Sequence, residues 1–175
     1  MANLNLVGDE NAATHASFEG IRKQRGLMPN LLRVLGIAPA RLHGYLGLSG
    51  TLGGGMLPAA LREGIALLSA GTNGCDHCLL AYSMIGAGAG LSAVAVGTAR
   101  TGKAETVKDK TALSLPRAVL ARQDRGAEAE PAPAPARDDA AIIEIVLNVA
   151  MSLQTNRINT PAGAPTDFAV RHTGH

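Results

Sequence analysis

From Leu27 onward the apolar residues recur at the three- and four-residue intervals of helices with one buried face. Met28-Pro29-Asn30 opens a turn, Leu31, Leu32 and Leu35 follow, and Pro39 begins a segment that carries Leu42, Tyr45 and Leu46 and stops at Gly53-Gly54-Gly55. Pro58 suits the first position of the next helix, where its missing N–H costs nothing, and Leu61, Ile65 and Leu68 mark that helix's apolar face. Asn73-Gly74 ends it. A further helix starts close to Cys75 and runs to the glycine cluster beginning at Gly86, followed by a short one capped by Ser92 and stopped near Gly102. Residues 106–125 read as helical, with Pro116 kinking or dividing them. Asp138 or Asp139 caps a last long helix, in which Ile142, Ile145, Val146, Val149, Ala150 and Leu153 form a stripe expected in the core.

Two stretches lack this periodicity. Residues 1–17 are polar and read as a flexible or loosely docked arm. Within the single helical domain expected over 18–175, residues 126–137 are a Pro/Ala-rich linker, because GAEAEPAPAPA favours extended polyproline-like chain over a packed element.

Composition sharpens the fold class. Phe18, Phe168, Tyr45 and Tyr82 are the only aromatic residues, so the core must be built from Leu, Ile, Val and Ala. Such side chains suit closely packed helices better than a sheet sandwich, and the expectation is an all-α bundle. A formal charge of +2, with scattered Arg and Lys and few aromatics to stack on bases, argues against a nucleic-acid partner. Leu79–Ala99 carries no charge and is long enough to span a bilayer, but Gly86, Gly88, Gly90 and Gly97 with Ser83 and Ser92 dilute it. It reads as two buried helices, not a membrane span. Asp9 and Glu10 stand where a signal peptide would be apolar, which leads to the expectation of a cytoplasmic protein.

All the sulfur chemistry available to cysteine lies in Cys75-Asp76-His77-Cys78. A disulfide closing so short a loop restrains little of the unfolded chain, so stability explains the pair poorly. Zinc would need further ligands, and His43 and His77 alone do not complete a set; no metal and no organic cofactor is expected. Two buried cysteines could pack as weak hydrophobes. Against that, a thiol at a helix N-terminus feels the positive end of the dipole, which favours the reactive thiolate, and His77 adds to this when protonated. Glu63 is a second candidate, since its helical neighbours Ala59, Ala60, Ala66 and Leu67 are all apolar. Desolvation there would raise its pKa into a range useful for proton transfer, although a Glu reaching solvent or an Arg would look the same in sequence. Tyr82 lies four residues after Cys78 and shares its face; a phenol is a poor base at neutral pH, and it can donate a hydrogen bond or fill core space.

Glu63, eleven residues and then Cys75-x-x-Cys78, within LREGIALLSAGTNGCDHCLLAYSMIGAGAGLS, resembles the signature of alkylhydroperoxidase D and its peroxidase-related relatives in the carboxymuconolactone decarboxylase superfamily. MPNLLRVLGIAPARLHGYLGLSGTL before it is similar to that family's first helices, and TNRINTPAGAPTDF after it to the family's ending. The resemblance implies a helical bundle with the CxxC at the start of a central helix, and a homo-oligomer built on trimers or hexamers. It implies that Cys78 attacks a hydroperoxide, that Cys75 resolves the sulfenic acid as a disulfide reduced by an external dithiol, and that Glu63 relays protons. His77 matches a histidine within the motif of the founding type. The family's relay histidine, four residues after the second cysteine, is here Tyr82, and Thr160 stands where many relatives have histidine. His77 or Glu63 then takes over deprotonation, or the pair is a slow dithiol switch that exchanges disulfides with a protein or small-thiol partner, or the fold persists as a non-catalytic redox-sensing oligomer. A lactone-handling lyase is a further reading, though that branch does not rely on CxxC.

Overall fold

In the computed structural model, which describes residues 4–100, 107–121 and 138–167, the described chain forms eight helices and no strand. They are α1 (His15–Arg25), α2 (Asn30–Leu35), α3 (Pro39–Gly53), α4 (Ala59–Asn73), α5 (Asp76–Gly88), α6 (Ala93–Arg100), α7 (Val107–Ala121) and α8 (Asp139–Ala162). The all-α expectation holds. The linker 126–137, Gly102 and Phe168 lie outside the described residues.

α4 is the hub of the C-terminal helices, packing against α5, α6, α7 and α8, while α2 and α3 pack on α8. Every residue from Gly64 to Ala70 is buried, as a helix apolar on all sides requires. Ile65 and Leu68 join Leu57, Leu113, Leu120, Ile145 and Val149 in one cluster, while Leu67 and Ala70 join Cys75, Cys78, Leu79 and Ala99 in another. The cysteines are thereby fixed to the most enclosed element of the fold. Gly71 brings α6 close: a Cβ there would lie 1.9 Å from the Arg100 carbonyl oxygen. A third cluster, Phe18, Ile21, Leu32, Leu35 and Leu42, joins α1, α2 and α3.

Several boundaries differ from the sequence reading. α1 begins at His15, inside the stretch read as arm. Only Phe18 and Ile21 are buried in this largely polar helix, too few to give a legible period. Residues ahead of it touch the body: Leu4 N–H donates to the Ala162 carbonyl at 3.4 Å, Arg33 Nη1 to the Val7 carbonyl at 3.0 Å, and Asp9 pairs with both Arg22 and Arg33. Pro58 is the N-cap of α4, in extended conformation, and not its first residue. Pro116 does not divide α7, which runs through it; the ring is fully buried, and packing offsets the missing hydrogen bond.

The largest correction concerns α8, capped by Asp138 through Ala140 N–H at 2.9 Å. Ile145 and Val149 are core and Ile142 and Leu153 half-buried, but Val146 and Ala150 of the expected stripe face outward. In their place the inner face carries Asn148, Ser152, Thr155, Asn156 and Asn159. Some of these groups bond the helix's own backbone, Asn148 Nδ2 to the Glu144 carbonyl at 2.8 Å and Thr155 Oγ1 to the Ser152 carbonyl at 2.9 Å, which lowers the cost of burial. The 79–99 stretch is broken as expected: α5 ends at Gly88, Gly90 has φ +94°, and Ser92 caps α6 by accepting from Ala95 N–H at 3.0 Å. Among the described residues no helix is long and apolar enough to cross a membrane.

Candidate active site

The cysteines owe their position to how α4 stops. Gly74 adopts φ +63°, a left-handed conformation that suits glycine, and Cys75 N–H returns to the Ala70 carbonyl at 3.0 Å. This reverses the chain so that Cys75 becomes the N-cap of α5, with Asp76 in the first turn complementing the helix dipole. Cys75 and Cys78, 5.2 Å apart at Cα, are joined as a disulfide. Cys78 N–H donates to Cys75 Sγ at 3.4 Å, and so does Asn159 Nδ2 of α8 at 3.8 Å.

Both sulfurs are enclosed, with Cys75 3% and Cys78 2% exposed. Cys78 nonetheless forms part of the wall of a small cavity of about 60 Å³, together with Arg25 of α1, Tyr45 of α3, and His77, Tyr82 and Ile85 of α5. That is room for a few water-sized groups. Cys75 is not in this wall; it faces α4 and α8.

His77 is buried beneath the chain that follows α8. Burial lowers its pKa, opposed by the Asp167 carboxylate and a hydrogen bond with the Ala164 backbone. That chain is tied across the start of α2, since Asp167 Oδ2 accepts from Asn30 N–H at 2.8 Å and the Pro165 carbonyl from Asn30 Nδ2 at 3.2 Å. Glu63 is half-buried on α4, and its Oε2 has no hydrogen-bond partner among the described residues. Desolvation pushes its pKa up to about 7, against the pull of the Arg62 and Arg25 cations. It does not line the cavity, but its charge reaches two phenols that do: burial is the main cause raising the pKa of Tyr45 and Tyr82, Glu63 adds to it, and the Arg25 cation opposes it. Tyr82 donates to Thr155 Oγ1 at 3.1 Å, because that hydroxyl spends its own proton on the Ser152 carbonyl. The phenol is held neutral and turned toward α8.

Four of the five residues singled out in sequence thus meet at one cavity or its disulfide, and Glu63 joins them electrostatically. His43 is elsewhere, bonded to Ser17 Oγ at 3.0 Å. Among the described residues no group of three or more His, Cys, Asp or Glu could hold a metal ion. Sequence reading missed Arg25, Tyr45, Thr155 and Asn159. The last two lie in QTNRINT, a nearly continuous polar run in which neither stands out by spacing; Arg25 and Tyr45 reach the site only through the packing of α1 and α3.

The chain shares an alkylhydroperoxidase D-like helical fold with solved structures 18–23% identical to it. The chain superposes on the debrominase Bmp8, solved as a cysteine-to-alanine variant in complex with 2,3,4-tribromopyrrole, with a TM-score of 0.72 at 21% identity, over 95% of this chain and 93% of that one. The ligand-free debrominase gives 0.68 at 23% identity, over 95% and 94%. An uncharacterized peroxidase-related protein from Silicibacter sp. TM1040 gives 0.72 at 18% identity, over 95% and 89%. No protein-family model and no curated protein matches the chain.

Proposed function

We propose that this chain is a thiol-dependent oxidoreductase that reduces small hydroperoxides through Cys75 and Cys78. The observation carrying the reading is the joined cysteine pair with only Cys78 on the cavity wall. In the reduced protein the Cys78 thiolate attacks the distal peroxide oxygen; the S–O bond forms, the O–O bond breaks, and the alcohol leaves with a proton. Cys75 then attacks the Cys78 sulfenic acid, the S–S bond forms, the S–O bond breaks, and water leaves. An external dithiol returns the pair to thiols and departs as its own disulfide.

Glu63 lies outside the cavity wall, so it takes the Cys78 proton, and returns one to the leaving oxygen, through intervening water and not by direct contact. A pKa of about 7 suits both duties at neutral pH, when the group is roughly half ionised. Neutral His77, beside Cys78 on the same wall, is the second acceptor. Tyr82, locked to Thr155, shapes the cavity and takes no proton. A cytoplasmic setting would supply the dithiol, and assembly into trimers or hexamers belongs to the same proposal.

The debrominase neighbours favour a second reading, in which the same pair reduces a halogenated substrate. A cavity of about 60 Å³ fits the O–OH end of a hydroperoxide better than a ring bearing three bromines. The test is consumption of hydrogen peroxide, an alkyl hydroperoxide and tribromopyrrole with dithiothreitol, for wild type, Cys75→Ser and Cys78→Ser. Peroxide turnover lost in both variants, with one sulfenic acid still formed on Cys78 in Cys75→Ser, is the expected result. Reversible thiol oxidation without turnover would leave only a redox sensor, and lactone decarboxylation surviving both substitutions would point to a lyase.

A further inference from the structure

Within the thiol–disulfide reading just proposed, on which this inference rests, the two sulfurs are not equivalent. Cys75 Sγ accepts hydrogen bonds from Cys78 N–H at 3.4 Å and from Asn159 Nδ2 at 3.8 Å, whereas Cys78 lies on the cavity wall. Both donors are fixed in place. The N–H belongs to the first turn of α5, whose amides have no intrahelical acceptor, and Asn159 is 5% exposed on the inner face of α8. Asn159 Oδ1 is also buried with no hydrogen-bond partner among the described residues. An apolar side chain would avoid that cost, so filling space explains this amide poorly.

We infer that Cys78 N–H and Asn159 Nδ2 form a thiolate hole for Cys75, which makes Cys75 the departing sulfur when an external dithiol attacks Cys78 through the cavity. In that step the external sulfur bonds Cys78 Sγ, the Cys75–Cys78 bond breaks, and its electron pair leaves with Cys75, where both donors and the dipole of α5 receive the charge. The dithiol's second sulfur then attacks the first, closing a cyclic disulfide and releasing Cys78 as a thiolate. The external reagent is oxidised by two electrons and the pair is reduced by two. In the forward direction the same hole holds Cys75 ionised and ready to displace water from the Cys78 sulfenic acid. Asn159 therefore sets both the pKa of Cys75 and the potential of the pair.

The experiment titrates Cys75 by thiolate absorbance in Cys78→Ser, with and without Asn159→Leu, and equilibrates the intact pair against dithiothreitol. With Asn159 present, Cys75 should titrate below the ordinary value of about 8.5. Asn159→Leu should raise that pKa by about one unit, a tenfold loss of thiolate at a given pH below it. At about pH 9 it should move the dithiol equilibrium about tenfold toward disulfide, close to 30 mV. Asn159→Asp, which puts a like charge beside the sulfur, should raise the pKa further. Where neither variant folds, brief treatment of the oxidised wild type with β-mercaptoethanol followed by alkylation decides: the thiol adduct belongs on Cys78 and the alkyl group on Cys75. Cys75 titrating at or above about 8.5, an unchanged pKa and potential in the variants, or the adduct on Cys75 would each overturn the inference. None of these readouts uses peroxide, so they fail or succeed separately from peroxide turnover.

Discussion

Replacing Glu63 with Gln separates the cost of burying a carboxylate from its use. The folded chain holds this group at about 7, against an ordinary value of 4.5, because the side chain is desolvated on α4 with one oxygen left without a partner among the described residues. At about 1.4 kcal/mol per pKa unit the gap corresponds to about 3 kcal/mol, and the group's partial exposure reduces this to about 2 kcal/mol. The sign follows from proton binding. Below 4.5 both folded and unfolded chains carry the proton and nothing is lost; between 4.5 and about 7 only the folded chain keeps it, so stability falls as pH rises; above about 7 the penalty is complete. Gln has nearly the shape of the protonated acid and no charge to desolvate. Urea titrations of the oxidised proteins should give matching stabilities near pH 4, whereas near pH 8 Glu63→Gln should be more stable by about 2 kcal/mol, or about 4–8 °C in Tm. The same substitution should cut peroxide turnover by about a hundredfold or more through loss of the proton relay. An equal stability difference at both pH values would refute the raised pKa; stabilisation with full turnover would refute the relay.

Other substitutions probe the cavity wall and the scaffold beneath it. Tyr82→Phe should cost about 1 kcal/mol in urea, for the lost hydrogen bond to Thr155, and leave steady-state peroxide turnover unchanged because the phenol carries no proton in the reaction. Tyr82→His should raise turnover, since a base then stands one helical turn from Cys78; no gain would mean that Glu63 and His77 already suffice. Gly71→Ala should destabilise the fold by about 3 kcal/mol, seen as a lowered denaturation midpoint, because its Cβ would fall 1.9 Å from the Arg100 carbonyl and push α6 off α4.

The helices with strong apolar stripes and unambiguous stops were legible in the sequence. α4 between Pro58 and Gly74, and α5 between Cys75 and the glycines, lie within a residue or two of where periodicity and caps place them. α1 was not legible, because two buried residues in an otherwise charged helix leave no pattern; what fixes it is Phe18, fully buried against α2 and α3, a contact with no local signature. α8 misled for the opposite reason. Its apolar residues are plentiful enough to suggest a face, yet Val146 stands only about 100° around the helix from Ile145, and packing on α4 chose the side carrying the small polar groups.

The same polar side explains why the site was only half visible. Cys75, His77, Cys78 and Tyr82 are neighbours in sequence, and Glu63 stood out as a charge among apolar neighbours, so local reasoning found them. Thr155 and Asn159 come from a helix some seventy to eighty residues later, and their bearing on Tyr82 and Cys75 exists only once α8 is laid across α5. An apolar α8 would have made a drier core, but it would have left the Tyr82 hydroxyl without Thr155 and Cys75 Sγ without its side-chain donor. Burying such a polar row costs least where its members find partners: Asn148 bonds its own helix, Thr155 and Asn159 reach groups on α5, and Asn156 has no hydrogen-bond partner among the described residues. The groups so reached are Tyr82 and Cys75, so the proposed site is built from α8 as well as from the helix that carries the cysteines.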